Sequence, residues 1–224
     1  MEKNFTKEQI EAMKNDMEIG ISTYRERGKF FHQDMTEEEV EEVIRNTESS
    51  LVATIVAEVT VPVEVECDYE DVPVGRVNIE ILEPPFGVFY DWLDVADAMD
   101  GDVYGACEAL NLDGKKFATG HTKLHREMMK LLEDEVKNVF YVRDVWVDEQ
   151  FRGCGIGKHL VKKIDDIIQY GSHSRHGVIV LTACPVEIKR ENTEEHAEYS
   201  EKLYKFYEDC GFTRIDEQVF LKLF

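Results

Sequence analysis

The stretch "VWVDEQFRGCGIGKHLVKKI" spans residues 145–164 and decides how the rest of the chain is interpreted. Three glycines stand at alternate positions in it, Gly153, Gly155 and Gly157, and an amphipathic pattern follows at once. Glycine is used where the backbone takes unusual dihedral angles or comes close to a ligand. A glycine-rich loop that opens a helix leaves backbone N–H groups unobstructed at the positive end of the helix. The stretch therefore predicts a site for a phosphate or pyrophosphate group.

The segments around this loop predict an α/β (α+β) fold. Apolar, β-branched patterns predict strands over 51–69, 74–83, 138–147 and 177–183, with a last strand or hairpin at the C-terminus. Amphipathic patterns predict helices within 89–111 and at about 121–136, 156–170 and 197–210. Such an order predicts a mixed sheet with helices on its faces.

The first 49 residues predict a helical N-terminal extension, and residues 50–224 predict one domain. "TKEQ" (6–9) and "TEEE" (36–39) are capping-box patterns, in which a Thr and a Gln or Glu three residues later satisfy the first N–H groups of a helix. We therefore expect two helices in this extension.

The composition is that of an acidic protein, with a net charge of −21 over 224 residues. Such a charge argues against nucleic acid as a partner. Residues 51–113 hold 15 acidic residues and one basic residue, Arg76, whereas residues 114–224 hold 19 acidic and 18 basic residues. The acidic block predicts a cationic substrate, although surface acids that keep a protein soluble give the same composition.

The sequence predicts neither a membrane partner nor a metal site. No apolar run approaches the roughly 20 residues that span a bilayer, and the N-terminus has no signal-peptide pattern. Five scattered cysteines favour a reduced, cytoplasmic protein over a disulfide framework or a zinc site. His121 and His125 lie four residues apart on a predicted helix but lack a third ligand, so we expect surface histidines.

Three phosphate-binding motifs compete for the glycine loop. A nucleotide-hydrolase loop needs a Gly where Arg152 stands and a Ser or Thr where His159 stands. A dinucleotide fingerprint needs G-x-G-x-x-G, whereas this loop reads G-x-G-x-G. The third pattern, [QR]-x-x-G-x-[GA], is met by Arg152, Gly155 and Gly157.

This third pattern resembles the GNAT superfamily of acyl-CoA-dependent N-acetyltransferases. "LYKFYEDCGF" (203–212) is similar to a second segment of that family, A-x-x-x-Y-x-x-x-G-F, with Tyr207 at the tyrosine position. The resemblance covers about residues 139–224 and extends by fold to about residue 51. It implies a mainly antiparallel, twisted sheet flanked by helices, acetyl-CoA as co-substrate, and direct acyl transfer to an amine.

The resemblance also implies which residues bind the co-substrate. Backbone groups at the strand end would face the pantetheine arm, where the strand splays from its neighbour, and loop N–H groups would hold the pyrophosphate. The strand residues are Val145, Trp146 and Val147. The loop residues are Arg152, Gly153, Cys154, Gly155, Ile156, Gly157 and Lys158.

Catalytic roles are implied for two residues. By resemblance, the Tyr207 hydroxyl protonates the departing CoA thiolate or binds that sulfur, and the nearby Tyr204 is the alternative. An amine must lose a proton before it attacks, so the site needs a carboxylate or a water chain. Where many family members carry a Glu, this chain has Arg143, with Asp144 beside it. The candidates for the base are Asp144 and a water relay that involves acids of residues 51–113.

The sequence thus predicts an N-acetyltransferase that moves an acetyl group from acetyl-CoA to the primary amine of a cationic acceptor. The predicted partners are a small-molecule or peptide amine acceptor and, because such folds often pair, a second copy in a homodimer. Two alternatives stay open: a non-catalytic acyl-CoA-binding module on the same fold, and an acidic interaction protein.

Overall fold

A seven-stranded sheet organises the part of the chain that the computed structural model describes, residues 5–13, 17–27, 51–65, 68–82, 96, 101–111, 116–134, 139–184 and 193–224. The strands are β1 (Glu18–Arg27), β2 (Leu51–Val65), β3 (Asp68–Leu82), β4 (Val139–Val147), β5 (Val178–Thr182), β6 (Thr213–Arg214) and β7 (Val219–Leu223). The helices are α1 (Lys7–Met13), α2 (Gly101–Ala109), α3 (Thr122–Asp134), α4 (Ile156–Lys162), α5 (Ile164–Ser172) and α6 (Thr193–Asp209). The strand order is β1-β2-β3-β4-β5-β7-β6.

All described strand pairs are antiparallel except β4 with β5, so the predicted mixed, mainly antiparallel sheet is confirmed. The parallel pairing of β4 with β5 ends at Tyr141 and Val180. Beyond it, β4 continues beside β3 to Val147, and β5 continues beside β7 to Thr182. Because the two strands stop pairing while each keeps its other neighbour, a gap opens between them. We call it the β4–β5 gap.

Helices pack on both faces of the sheet. Helices α4, α5 and α6 bury an apolar cluster on one face, which we call the first face. Helices α2 and α3 bury a second cluster on the opposite face, the second face. Along β5 the side chains alternate between them: Ile179 and Leu181 belong to the first cluster, and Val178 and Val180 to the second.

The N-terminal extension is not wholly helical, which corrects the prediction. Helix α1 begins at the predicted capping box, because the Thr6 N–H donates to Gln9 Oε1 at 2.8 Å and the Gln9 N–H donates to Thr6 Oγ1 at 3.3 Å. Residues 18–27, however, form β1 along the outer edge of β2. Pairing with a long exposed edge outweighs weak local preference in such a segment. The second capping box, at residues 36–39, lies outside the described residues.

Two further helix predictions are modified. The helix predicted at about 156–170 is two helices that meet at Lys163, whose φ of −92° and ψ of 5° end α4 and begin α5. Within 89–111, the structure describes α2 and Ala96, and the rest lies outside the described residues.

His125 is buried, which corrects its expected place on the surface. Its side chain is 2% exposed, its Nε2 lies 2.9 Å from the Asn111 carbonyl oxygen, and its ring meets Phe117 edge to face. A carbonyl partner makes burial of the polar ring tolerable. The described residues contain no group of three or more potential metal ligands. In the same ranges, no helix is long and apolar enough to cross a membrane.

Candidate functional site

The end of β4 contains a bulge that decides which side chain reaches the gap. Asn78 lies opposite Asp144 and Ile79 lies opposite Val142, so Arg143 is the extra residue in the pairing with β3. Arg143 is tied to Glu80, since its Nη2 donates to both Glu80 carboxylate oxygens at 2.9 and 3.0 Å. The position where a family Glu base was considered is therefore occupied by a structural ion pair.

The glycine loop turns sharply between β4 and α4. The Arg152 Nε donates to the Val147 carbonyl at 3.3 Å, which ties the loop back to the strand end. Gly153 and Gly155 have φ values of 75° and 88°, in the left-handed region that other residues rarely adopt. The loop thus depends on glycine for its backbone path, independently of any ligand.

The turn presents a row of backbone N–H groups at the start of α4. The Cys154 N–H is used internally, because it donates to the Phe151 carbonyl at 3.3 Å. The first helical N–H bond of α4 runs from His159 to the Gly155 carbonyl at 2.9 Å. The N–H groups of residues 156–158 precede it and have no acceptor among the described residues. They can therefore donate to an anion.

Two glycines bring α4 close to the strands. A Cβ on Gly75, in β3, would lie 2.6 Å from Ile156 Cγ2, so glycine lets the first turn of α4 rest on the sheet. A Cβ on Gly157 would lie 3.4 Å from Val147 Cγ2, which is an ordinary contact. Sequence reasoning missed Gly75, because nothing near it along the chain points to a helix 80 residues later.

Tyr207 approaches the β4–β5 gap from the first face. Its side chain is 9% exposed and packs edge to face against Phe212, with ring centroids 6.0 Å apart. Burial raises the pKa of Tyr207 to about 12, and the charges of Cys210, Tyr141 and Asp144 add smaller contributions. The hydroxyl is therefore protonated at neutral pH and can act as a proton donor.

Tyr204, the alternative tyrosine, lies one turn earlier on α6 in a different environment. The Arg214 guanidinium lies 4.3 Å from its ring centroid, and its ring is 5.5 Å from that of Phe220. Helix α6 ends at Asp209, and Gly211 follows it with a φ of 95°, which fits the predicted C-terminal cap.

Asp144 lies on the second face, beside the β4–β5 gap. Its Oδ2 accepts a hydrogen bond from Asn78 Nδ2 at 2.7 Å. Asn78 stands between Val77 and Ile79, which belong to the first cluster, so strand alternation puts the Asn78–Asp144 pair on the second face. The Asp144 Oδ1 is buried and has no partner among the described residues. A proton donor and an unpaired proton acceptor thus reach the gap from opposite faces.

A family model matches just over half of the chain. A model described as an acetyltransferase (GNAT) domain matches residues 97–214, which is 118 of the 224 residues. The match includes the glycine loop and Tyr207. No curated protein matches the chain significantly.

Several solved structures are similar to the chain. The KacTA–DNA complex is 10% identical, covering 92% of this chain and 93% of the other, with a TM-score of 0.39. An agmatine N-acetyltransferase in its apo form is 14% identical, covering 88% and 85%, with a TM-score of 0.35. NAA60 of Arabidopsis thaliana in complex with acetyl-CoA is 13% identical, covering 91% and 98%, with a TM-score of 0.31.

The predicted partner set is wrong in excluding nucleic acid. The first of these structures holds its protein in a complex with DNA. The exclusion relied on the net charge of −21, which is a sum over the whole chain. Contact with a nucleic acid depends on local basic surface, so a total charge is too coarse a ground for excluding it.

Proposed function

The chain belongs to the acetyltransferase (GNAT) family, and from this premise we propose that it transfers an acetyl group from acetyl-CoA to the primary amine of a cationic acceptor. Membership makes the protein an acetyltransferase with acetyl-CoA as its co-substrate. The observation that carries the finer proposal is the β4–β5 gap, with donor N–H groups at one end and Tyr207 and Asp144 on either side.

Acetyl-CoA is an elongated anion, and the described residues fit it. The N–H groups of residues 156–158, with Arg152 and Gly153 to Gly155 shaping the turn, would hold the pyrophosphate. Val145, Trp146 and Val147 lie on β4 beyond its last pair with β5, so their backbone can face the pantetheine arm. Lys158 is exposed on the first turn of α4 and adds a positive charge near the anion.

The proposed reaction is a direct attack. The acceptor nitrogen bonds to the thioester carbonyl carbon, and the carbon–sulfur bond breaks as the amide forms. Backbone N–H groups at the end of β4 would stabilise the negative charge that develops on the carbonyl oxygen. Tyr207 donates its proton to the departing sulfur, and the proton lost by the nitrogen goes to Asp144, directly or through water.

Charge supports a cationic acceptor. Within the acidic block, residues 51–65 and 68–82 form β2 and β3 and carry six of its 15 acidic residues, and β3 lies next to β4, the strand of Asp144. Glu58 lies opposite Arg76 across these strands, on the second face with Asn78 and Asp144. A negative surface beside the site raises the local concentration of a cation and weakens as salt increases.

The test measures CoA thiol release with butylamine, putrescine and spermine, which present one, two and four amines. We expect release that depends on the amine, a kcat/KM that rises with acceptor charge, and an acceptor KM that rises several-fold between about 0.05 and 0.5 M salt. Equal kcat/KM values and a salt-independent KM would overturn the proposal of a cationic acceptor but would leave the proposed acetyl transfer standing. No release with any amine, alongside normal acetyl-CoA binding, would indicate the non-catalytic binding module.

A further inference from the structure

Three buried polar atoms without partners lie on the two strands that border the β4–β5 gap and on β3, the next strand of the sheet. Among the described residues, five buried side-chain nitrogen or oxygen atoms lack a hydrogen bond, and three of them are Arg76 Nε, Asp144 Oδ1 and Thr182 Oγ1. They come from three neighbouring strands, β3, β4 and β5. Buried polar groups in folded proteins are nearly always paired, so a cluster of unpaired ones points to a missing partner.

The three atoms belong to the same face of the sheet. Arg76 is two residues from Asn78 on β3, so both point to the second face, where Asn78 bonds Asp144. Thr182 lies opposite Val219, which belongs to the second-face cluster. Thr182 also follows Val180, the last β5 residue paired with β4, so it stands where the gap begins.

The surroundings of Arg76 leave one of its N–H groups available to a ligand. Its guanidinium carbon lies 6.0 Å from the centroid of the Trp146 ring, which is directly across the strand pair. Beside this ring, the Arg76 Nε–H has no acceptor within the described residues. Arg76 is also the only basic residue in residues 51–113. Its guanidinium is therefore the one cationic hydrogen-bond donor that the acidic block can offer to a ligand.

We propose that Arg76 and Thr182 determine acceptor specificity: Thr182 accepts a hydrogen bond from the attacking amine together with Asp144, and Arg76 donates to a carbonyl or carboxylate oxygen of the same acceptor. The inference rests on the proposed acetyl transfer. Arg76 is diagonal to Asp144 across β3 and β4, a relation that separates Cβ atoms by about 7 Å. The acceptor oxygen therefore lies within a few bonds of the amine.

The test compares matched amines with and without that oxygen. The probes are glycinamide, glycine and isobutylamine, which share a shape, and the longer set β-alaninamide, β-alanine and isopentylamine. For each set the measured quantity is the ratio of kcat/KM for an oxygen-bearing amine to that for the hydrocarbon amine. We expect Arg76→Gln to lower this ratio about tenfold or more, because one charge-assisted hydrogen bond is lost. Comparing wild type with variant cancels intrinsic differences between the amines.

Matched controls separate this effect from charge and from misfolding. Arg175→Gln makes the same change of charge at an exposed loop position and is expected to leave the ratio as in wild type. Arg76→Lys keeps the charge but loses the Nε donor, and is expected to lower the ratio even if Arg76→Gln does not fold. The amide-to-acid comparison tells a carbonyl ligand from a carboxylate ligand.

An unchanged ratio in both Arg76 variants overturns the role of Arg76, while turnover itself upholds the proposed function. Absence of wild-type turnover with all six amines overturns this inference alone if putrescine or spermine is acetylated, and overturns the proposed function as well if neither is. Thr182 acts on the amine common to all probes, so Thr182→Val is expected to lower kcat/KM about tenfold for every amine and Thr182→Ser to restore it. If Thr182→Val retains wild-type kcat/KM for all six, the role of Thr182 is overturned.

Discussion

Tyr207 combines two properties that rarely occur together at one side chain. It is buried among aromatic rings, and its hydroxyl has no hydrogen bond within the described residues. Burial raises its pKa to about 12, so the hydroxyl keeps its proton across the physiological range. A departing thiolate beside it would supply the missing hydrogen-bond acceptor. We therefore expect the hydroxyl to contribute to the reaction and to add little to stability.

Replacing Tyr207 with Phe should therefore separate activity from folding. We expect kcat to fall about 100-fold, because the general acid is lost, while the KM for acetyl-CoA and the thermal midpoint change little. Steady-state kinetics and thermal unfolding measure the two effects. Tyr204→Phe is the matched control, with a wild-type kcat expected. Similar losses in both variants would remove the assignment of Tyr207.

At the residue scale, the sequence predicted the residues that belong to recognisable motifs. It could not predict contacts that form only when the chain folds. Gly155 and Tyr207 were identified from two motifs that resemble those of the family, and their roles stay predictions. The ion pair of Arg143 with Glu80 could not be foreseen, because it depends on a one-residue bulge in β4. The unpaired state of Arg76 Nε also depends on neighbours that only the folded chain brings together.

At the scale of the element, the start of α4 is packed tightly on one side and open on another. Gly75 allows Ile156 to rest on β3, because a Cβ there would meet Ile156 Cγ2 at 2.6 Å. Gly157 has room for a Cβ within the chain, so packing does not require glycine there. The remaining reason for a glycine at position 157 is that a ligand approaches the backbone closely there.

Gly157→Ala should therefore keep the fold and weaken the ligand. We expect the free energy of unfolding to be unchanged or about 0.5 kcal/mol higher, because alanine favours helix, and the Kd for acetyl-CoA to rise about tenfold. Denaturant unfolding and calorimetric titration measure the two. Gly75→Ala should instead destabilise the protein by about 1–3 kcal/mol through overpacking. A Gly157→Ala variant that binds acetyl-CoA normally would show that the ligand does not approach there.

The elements themselves were predicted unevenly. Helix α6 followed from its apolar periodicity, strands β4 and β5 from their apolar, β-branched runs, and α1 from its capping box. Strand β1 was missed because 23 residues of chain separate it from its pairing partner, β2. The break at Lys163 was missed because the apolar stripe continues through it, from Leu160 to Ile168.

At the scale of the molecule, the described residues form a sheet between two apolar clusters. The second cluster contains a buried thiol whose ionisation is linked to folding. Cys107 on α2 is 2% exposed and belongs to that cluster. Burial raises the pKa of its thiol from 9.0 to about 12. The unfolded chain releases this proton at lower pH than the folded protein does. Stability is therefore full below about pH 9 and declines as pH rises towards 12.

The free energy of unfolding should therefore depend on Cys107 in alkaline solution. We expect wild type to lose stability between pH 8 and pH 11, and Cys107→Ala to lose about 2 kcal/mol less over the same range. Urea unfolding at both pH values measures the change in the free energy of unfolding of each protein. The small cavity in Cys107→Ala lowers stability equally at both pH values, so it does not affect this change. Cys154→Ala, at a half-exposed thiol, is the control and should decline as wild type does. Parallel declines in wild type and Cys107→Ala would show that the thiol ionises equally in both states.

The central claim is that acetyl-CoA lies against the glycine loop, and calorimetric titration of acetyl-CoA into Gly155→Glu tests it most directly. Gly120→Glu is the matched control: its φ of 84° is close to the 88° of Gly155, and neither position has an atom within 4 Å of a Cβ. We expect wild type and Gly120→Glu to bind acetyl-CoA alike, and Gly155→Glu to bind about 100-fold more weakly because its carboxylate repels the pyrophosphate. Equal affinity in the two glutamate variants would contradict the account.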